Sequence, residues 1–268
     1  MRILWQSYTA PGTEYHEAML SRLQQVASPG TTIEMSGLLP PDRYVHRLSE
    51  LRCAYQVLAQ TLEVAESGYD AIVVGHFQDG GVHELRAACE IPVVGLGEAV
   101  MHQAMMLGDA FGLVTINPGF SAWHRAQVRS YRLDGKFAGV EAMDTSAEVY
   151  FAAFQGDIGA RESVVSQFRD RAQRLIDRGA DVIIPAGGLP ALLLRTISHL
   201  DLGDVTLLDP LGVAVLQAEM WYRLGKDSGL RPGRSGSYAL PEPGVIKEII
   251  DSVRPLDSAG SVLKKGKS

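Results

Sequence analysis

Cysteine is nearly absent from this chain, which carries two thiols, Cys53 and Cys89, in 268 residues. That excludes a disulfide framework and a four-thiol zinc knuckle, and no Cys-x-x-Cys pair occurs. A reducing, cytoplasmic setting is the expectation. Positive charge is also in deficit, with 25 Lys and Arg against 31 Asp and Glu. Nucleic acid and anionic membranes select clustered basic residues that displace counterions, so neither partner is expected. No apolar run nears the roughly 20 residues that cross a bilayer. In the opening "MRILWQSYTA", Gln6, Ser7 and Thr9 cut the apolar run short of a secretory signal. These absences leave a small molecule as the expected partner.

What is present is a repeating pattern. Short Val-, Ile- and Leu-rich runs alternate with longer amphipathic stretches, as in parallel strands covered by helices. Strands are expected at "RILWQSY", "TIEMSGL", "AIVVGHF", "IPVVGLG", "FGLVTI", "GVEAMD", "DVIIPAG" and "VTLLDP". Helices are expected over 12–27, 47–67, 82–90, 98–107, 120–131, 160–178, 189–199 and 211–225. The strands form two sets of four, and "ESGYDAIVVGHFQDGG" parallels "DRGADVIIPAGGLP", which reads as an internal duplication joined near 105–110. The Gly-, Pro- and Ser-rich tail after the last of these helices needs a surface to pack on, for which the first half is the expected host. The final "SAGSVLKKGKS" is expected to fray.

Ligands of open parallel sheets bind beyond the carboxyl ends of the strands, where loops carry helix N-termini. The candidates are therefore Gln6, Ser7, Tyr8 and Thr9; His76, Gln78 and Asp79; Thr115 and Asn117; Asp144 and Thr145; Ala186, Gly187 and Gly188; and Asp209. The cysteines lie elsewhere. Cys53 sits in a stretch whose Leu51, Ala54, Val57, Leu58 and Leu62 recur at helical spacing, and Cys89 closes a helix, so neither is expected to be a catalytic thiolate.

The duplicated halves, with "PGTTIE", "GHFQDGGV", "IPVVGLGEAV", "GADVIIPAGGLP", "LLDPLGVAV" and "RSGSYALP", resemble the Asp/Glu/hydantoin racemase superfamily, most of all its hydantoin racemase branch. The resemblance covers nearly the whole chain. It implies an α/β fold of two pseudo-symmetric flavodoxin-like lobes, each a four-stranded, mostly parallel sheet flanked by helices, with an active-site cleft between them. The first lobe would comprise 1–105 plus 211–268, including the C-terminal helix and tail, and the second 106–210. Also implied are chemistry without a cofactor, a small carboxylate or cyclic amide as substrate, and homo-oligomers.

The family uses two cysteines, one at the third-strand tip of each lobe, to exchange a proton on opposite faces of a carbon acid. The branch's turn resembles Cys-Phe-Gly-Asp-Pro-Gly. Here it reads His76, Phe77, Gln78, Asp79, Gly80 and Gly81, and the second thiol's place falls on Ala186, or on Gly187 in a register shifted by one. One base instead of two implies a one-sided reaction: hydrolytic ring opening, lyase cleavage or decarboxylation, or isomerisation. The contrasting readings are a racemase with other acids and bases, and a binding protein that kept the cleft.

His76, with an ordinary pKa near 6.5, is the leading acid/base or water-activating group. Asp79 would orient it or cap the next helix. Ser7, Thr9 and the phenol of Tyr8 would bind an anion, joined by Gln78. Thr115 and Asn117 would donate to a carboxylate or shape a Pro turn, and the backbone of Ala186, Gly187 and Gly188 would approach an oxyanion or form a tight turn. Asp209 is expected to cap a strand end. Arg231, Arg234 and Tyr238 are expected to anchor the tail. A metal shared by His76, Asp79 and His83 is not expected, since that spacing crosses from strand tip into helix.

Overall fold

The computed structural model describes residues 1–65, 67–197 and 200–257. The fraying end expected at 258–268 lies outside the described residues, as do residue 66 of the second expected helix and 198–199 of the seventh. One compact unit comprises Met1–Gly95 and the chain from Val215 onward. Its strands β1 (Arg2–Gln6), β2 (Thr32–Ser36), β3 (Ala71–Val74) and β4 (Val93–Gly95) are parallel, in the order β2-β1-β3-β4. Ala71, Ile72, Val73 and Val74 are fully buried, as a strand covered on both faces requires.

The crossovers are α1 (Glu14–Val26), α2 (Arg47–Val64) and α3 (Val82–Ala88). Thr13 starts α1 by accepting a hydrogen bond from the His16 amide at 3.2 Å, and Glu14 and Glu17 oppose the positive end of its dipole. Its buried stripe is Tyr15, Met19 and Leu23, one turn apart each. On α2 the expected stripe is inward at Val57, with Leu58 and Leu62 packed against the same cluster, but not at Leu51. Leu51 is 67% exposed, whereas Cys53 and Val57 pack with Leu4, Ile72 and Val74 of the sheet.

The second unit is Leu96–Ala214. Strands β5 (Phe111–Thr115), β6 (Phe137–Ala142), β7 (Val182–Ala186) and β8 (Thr206–Leu207) are parallel in the order β6-β5-β7-β8, so the second-first-third-fourth arrangement occurs twice. Helices α4 (Leu96–Ala104), α5 (Ser121–Ser130), α6 (Ala147–Phe154), α7 (Ile158–Ile176) and α8 (Gly188–Arg195) flank this sheet. Helix α4, at the start of this unit, packs against β7. Helix α6 has no counterpart among the expected helices. Its run "AEVYFAAF" is too short and too evenly apolar to show a helical period, and burial of Tyr150 and Ala153 against α7 and α8 holds it.

Two helices follow, α9 (Pro210–Ser228), whose residues from Val215 on belong to the first unit, and α10 (Pro243–Asp257), the latter also unanticipated. Helix α10 packs on α2, with Val253 buried and the Tyr55 hydroxyl 2.5 Å from Ser252 Oγ. Between them Arg234 donates to the carbonyls of Arg86, Cys89 and Tyr238, and the Tyr238 hydroxyl meets His83 Nδ1 at 2.7 Å, while Arg231 is exposed. The tail thus ties down the C-terminal end of α3. Glu219 of α9 accepts from the amide and hydroxyl of Ser28 beyond α1.

Two outcomes follow from this packing. A Cβ on Gly75 would lie 2.0 Å from Nε1 of fully buried Trp5, so Gly75→Ala is expected to cost about 2–3 kcal/mol, read as a lower urea midpoint. Burial pushes the Glu219 carboxyl up, but hydrogen bonds from Ser28 and Thr31 outweigh it and leave the pKa lowered. Its contribution is present above the ordinary carboxylate value and lost as pH falls through the depressed one. Glu219→Gln should therefore flatten the fall in stability measured by denaturation between about pH 6 and pH 3.

Candidate functional site

The register of β1 with β3 pairs Gln6 with Val74, so both strands leave the first sheet at the same level. Gly75 extends the ladder by donating to the Gln6 carbonyl at 2.7 Å. Two residues beyond that pair on each strand, Tyr8 and His76 meet as stacked rings with centroids 3.9 Å apart and planes 5° off parallel. The Tyr8 hydroxyl donates to the Gly80 carbonyl at 3.1 Å, and a Cβ on Gly80 would lie 2.5 Å from that hydroxyl oxygen. Burial holds the Tyr8 phenol well above its ordinary pKa, so it remains a neutral donor.

On its edge, the imidazole faces a carboxylate. His76 Nε2 lies 3.2 and 3.1 Å from the two oxygens of Glu50, with the side chains 18% and 16% exposed. Burial alone would lower the His76 pKa. The charge and hydrogen bond of Glu50, with Asp42 and Asp79 behind it, overcome that and raise it above 6.5. Asp42 arrives on the loop before α2, where its amide donates to the Tyr8 carbonyl at 2.9 Å and its Oδ1 accepts from Ser49 Oγ at 2.6 Å. His46 caps the start of α2, its Nδ1 accepting from the Leu48 amide. One ligand atom each from Asp42, Glu50 and His76 lie within 4.8 Å of one another.

Glu50 and Asp42 are absent from the strand-tip candidates. Glu50 precedes Cys53 and Val57 by one and two helical turns, so it continues their buried stripe, and a carboxylate in that position was the available signal. The other residues of this unit have local engagements. Ser7 Oγ and Thr9 Oγ1 are 2.8 Å apart, and the Thr9 amide donates to Ser7 Oγ. Gln6 Nε2 donates to Thr61 inside the core. Asp79 is buried in the left-handed region at φ 56°, and Gln78 is half-buried beside it. The residue before α3 is Gly81. The Val82 amide donates to the Asp79 backbone carbonyl, and the Asp79 carboxylate lies instead against Gly95 at the end of β4.

In the second unit the tip residues turn inward. Thr115 is fully buried with Oγ1 3.1 Å from His124 Nε2, and His124 Nδ1 lies 3.4 Å from Gln127 Oε1. Asn117 accepts from the Gly119 amide at 2.8 Å and so shapes the Pro118 turn. Thr145 donates to the Ile116 carbonyl, Asp144 is exposed, and Asp209 accepts from the Gly212 amide at the start of α9. Ala186 is buried. Gly187, at φ 143°, donates to the Pro185 carbonyl, and Gly188 opens α8.

The model of the Asp/Glu/Hydantoin racemase family matches residues 12–218. The chain belongs to that family. A hydantoin racemase of Paenarthrobacter aurescens is 23% identical over 227 residues, covering 84% of this chain and 91% of its own. A hydantoin racemase of Pseudomonas sp. (strain NS671) is 24% identical over 188 residues, covering 69% and 70%. Among solved structures, an allantoin racemase from Klebsiella pneumoniae superposes with a TM-score of 0.72 at 26% identity over 90% of this chain and 94% of that one. Glutamate racemase RacE1 from Bacillus anthracis shares the fold, with a TM-score of 0.61 at 17% identity over 88% and 90%.

Against that racemase background, neither thiol of this chain belongs to a strand-tip turn, although Cys53 packs from α2 against Tyr8 and Val74. Cys53 is buried in α2 and Cys89 follows α3, and burial pushes their pKa values up to about 12 and about 11. Both are neutral thiols near pH 7. No helix among the described residues is long and apolar enough to cross a membrane.

The raised pKa of His76 has a measurable sign. Because its folded pKa is raised, its pairing with Glu50 stabilises the protein fully below about 6.5 and is lost as pH rises through the folded value. In Glu50→Gln the favourable charge goes and burial dominates, so the His76 ring resonances followed by NMR should titrate at lower pH than in the parent. A titration unmoved by Glu50→Gln would contradict the pairing.

Proposed function

We propose that this racemase-family chain is an enzyme that opens a small, uncharged cyclic amide by hydrolysis, with His76 at the reaction centre. The observation that carries the reading is the imidazole held between the Tyr8 ring and the Glu50 carboxylate at the carboxyl end of β3. A ring fixed on its face and edge is oriented for repeated use as acid and base. His76 takes the place that resemblance gives to the family's first thiol, and Ala186 or Gly187 that of the second, so proton exchange on two opposite faces lacks its second group.

Charge supports a neutral substrate. Asp42, Glu50 and Asp79 all bear on His76, and a second carboxylate brought there would meet like charge. Ser7 and Thr9 bond to each other, which leaves them less suited to hold an anion. A ring bearing amide N–H groups suits these acceptors, and hydantoin and allantoin, the substrates named for relatives of this chain, are such rings. In the reaction His76 accepts a proton from water as the oxygen adds to a ring carbonyl carbon. The ring C–N bond then breaks, and the proton passes to the departing nitrogen.

The test is to incubate the purified protein with single enantiomers of hydantoins and allantoin in D₂O. Ring opening is followed by chromatography and exchange at the stereocentre by NMR. Ring opening that falls about 100-fold or more in His76→Ala is the expected result. Rapid deuterium wash-in with an intact ring would replace this reading by racemisation through other acids and bases. Decarboxylated or otherwise cleaved products from an arylmalonate-like substrate would replace it by a lyase reaction.

A further inference from the structure

The hydrogen bond between His76 and Glu50 accounts for one carboxylate beside the imidazole, and the structure holds two. Asp42 comes from a different element and brings its carboxylate to the same point, with one ligand atom of each residue within 4.8 Å of the others. Two like charges converging in a half-buried place repel each other, and a doubly charged cation offsets both. The geometry is near what such an ion requires. Ligand atoms about 2.0–2.2 Å from a tetrahedral ion stand roughly 3–4 Å apart. The His76 to Glu50 separations of 3.1 and 3.2 Å already have that span, and the Asp42 ligand atom lies within 4.8 Å of both partners.

The surroundings orient each group. The stacked Tyr8 ring sets the imidazole plane, and Ser49 Oγ donates to Asp42 Oδ1, turning that carboxylate. Outer hydrogen bonds of this kind prepare first ligands in metal sites. Glu50 presents both oxygens to Nε2 at nearly equal distance, where a single N–H donor needs only one.

We propose that Asp42, Glu50 and His76 bind one divalent cation of the borderline kind that accepts mixed nitrogen and oxygen ligands, with zinc as the leading ion. Three protein ligands leave a fourth position for water, the arrangement of a site that reacts rather than one that only braces a fold. Binding stands on the cluster alone, and its use in catalysis rests on the ring-opening reading above. With the ion in place His76 is a ligand and water activation passes to the metal. The bound hydroxide forms the new bond to the ring carbonyl carbon, and the ring C–N bond breaks. The water's proton travels to the departing nitrogen through the Glu50 oxygen not bound to the ion.

The full-length protein, stripped with chelator, is titrated with zinc chloride and with manganese chloride by calorimetry, with circular dichroism confirming that each variant is folded. Saturable binding near one ion per chain is expected, weakened at least tenfold in both Asp42→Asn and Glu50→Gln. His83→Ala, an exposed histidine outside the cluster, should bind as the parent does. Absence of saturable zinc binding, or equal binding by parent and the two cluster variants, overturns the site. Undiminished ring opening by the stripped protein removes the metal from the reaction while leaving that reaction standing. Tight, cluster-dependent binding without turnover of any cyclic amide keeps the site and removes the reaction.

Discussion

Parallel pairing of β1 with β3 is the constraint on which the candidate site depends. With Gln6 opposite Val74, the two central strands end at one level, and the ladder runs one bond further to Gly75. Trp5 then fills the space where a side chain on Gly75 would project, so the chain must pass Trp5 closely before it reaches His76. Stacking of Tyr8 on His76 follows from that shared level: two rings leaving adjacent strands at the same height have each other's faces as nearest neighbours.

Charge around this stack comes from the crossover between β2 and β3. The loop ahead of α2 is bonded to the β1 tip through Asp42 and Tyr8, and the first turn of α2 carries Glu50 back over the imidazole. Burial and charge oppose each other here. Burial penalises an imidazolium, and the carboxylates favour it by more, which is the balance that makes a half-buried histidine responsive to its surroundings. Arg234 holds the C-terminal end of α3, the helix that follows the His76–Gly81 turn.

The two units share one strand order and use their tips differently. In the second, Thr115 and His124 satisfy each other in a dry interior, Asn117 shapes a turn, and the Gly187 amide bonds back to Pro185. These groups are committed to local structure. In the first, histidine, tyrosine and two carboxylates meet without being sealed from solvent. A duplicated backbone thus carries an unequal distribution of reactive groups, which accords with chemistry centred on one of its halves.

The central strands were legible because a strand buried on both faces reads as an apolar run, as β3 and β7 do throughout and β1 and β5 do apart from the polar residues at their ends. Helix α6 was not, because eight nearly all-apolar residues show no period, and α10 was hidden behind a segment rich in Gly, Pro and Ser. Within the site, the rule that ligands gather at carboxyl ends of parallel strands selected Tyr8 and His76 from sequence alone. It had no purchase on Glu50, which lies 26 residues from His76 on a helix, or on Asp42 in a loop. Local pattern therefore determined the element types, the doubled α/β plan and the histidine at a strand tip, since each depends on residues near one another in the chain. Which carboxylates stand against that histidine depends on how a crossover helix packs on the sheet, and only the tertiary structure decided it.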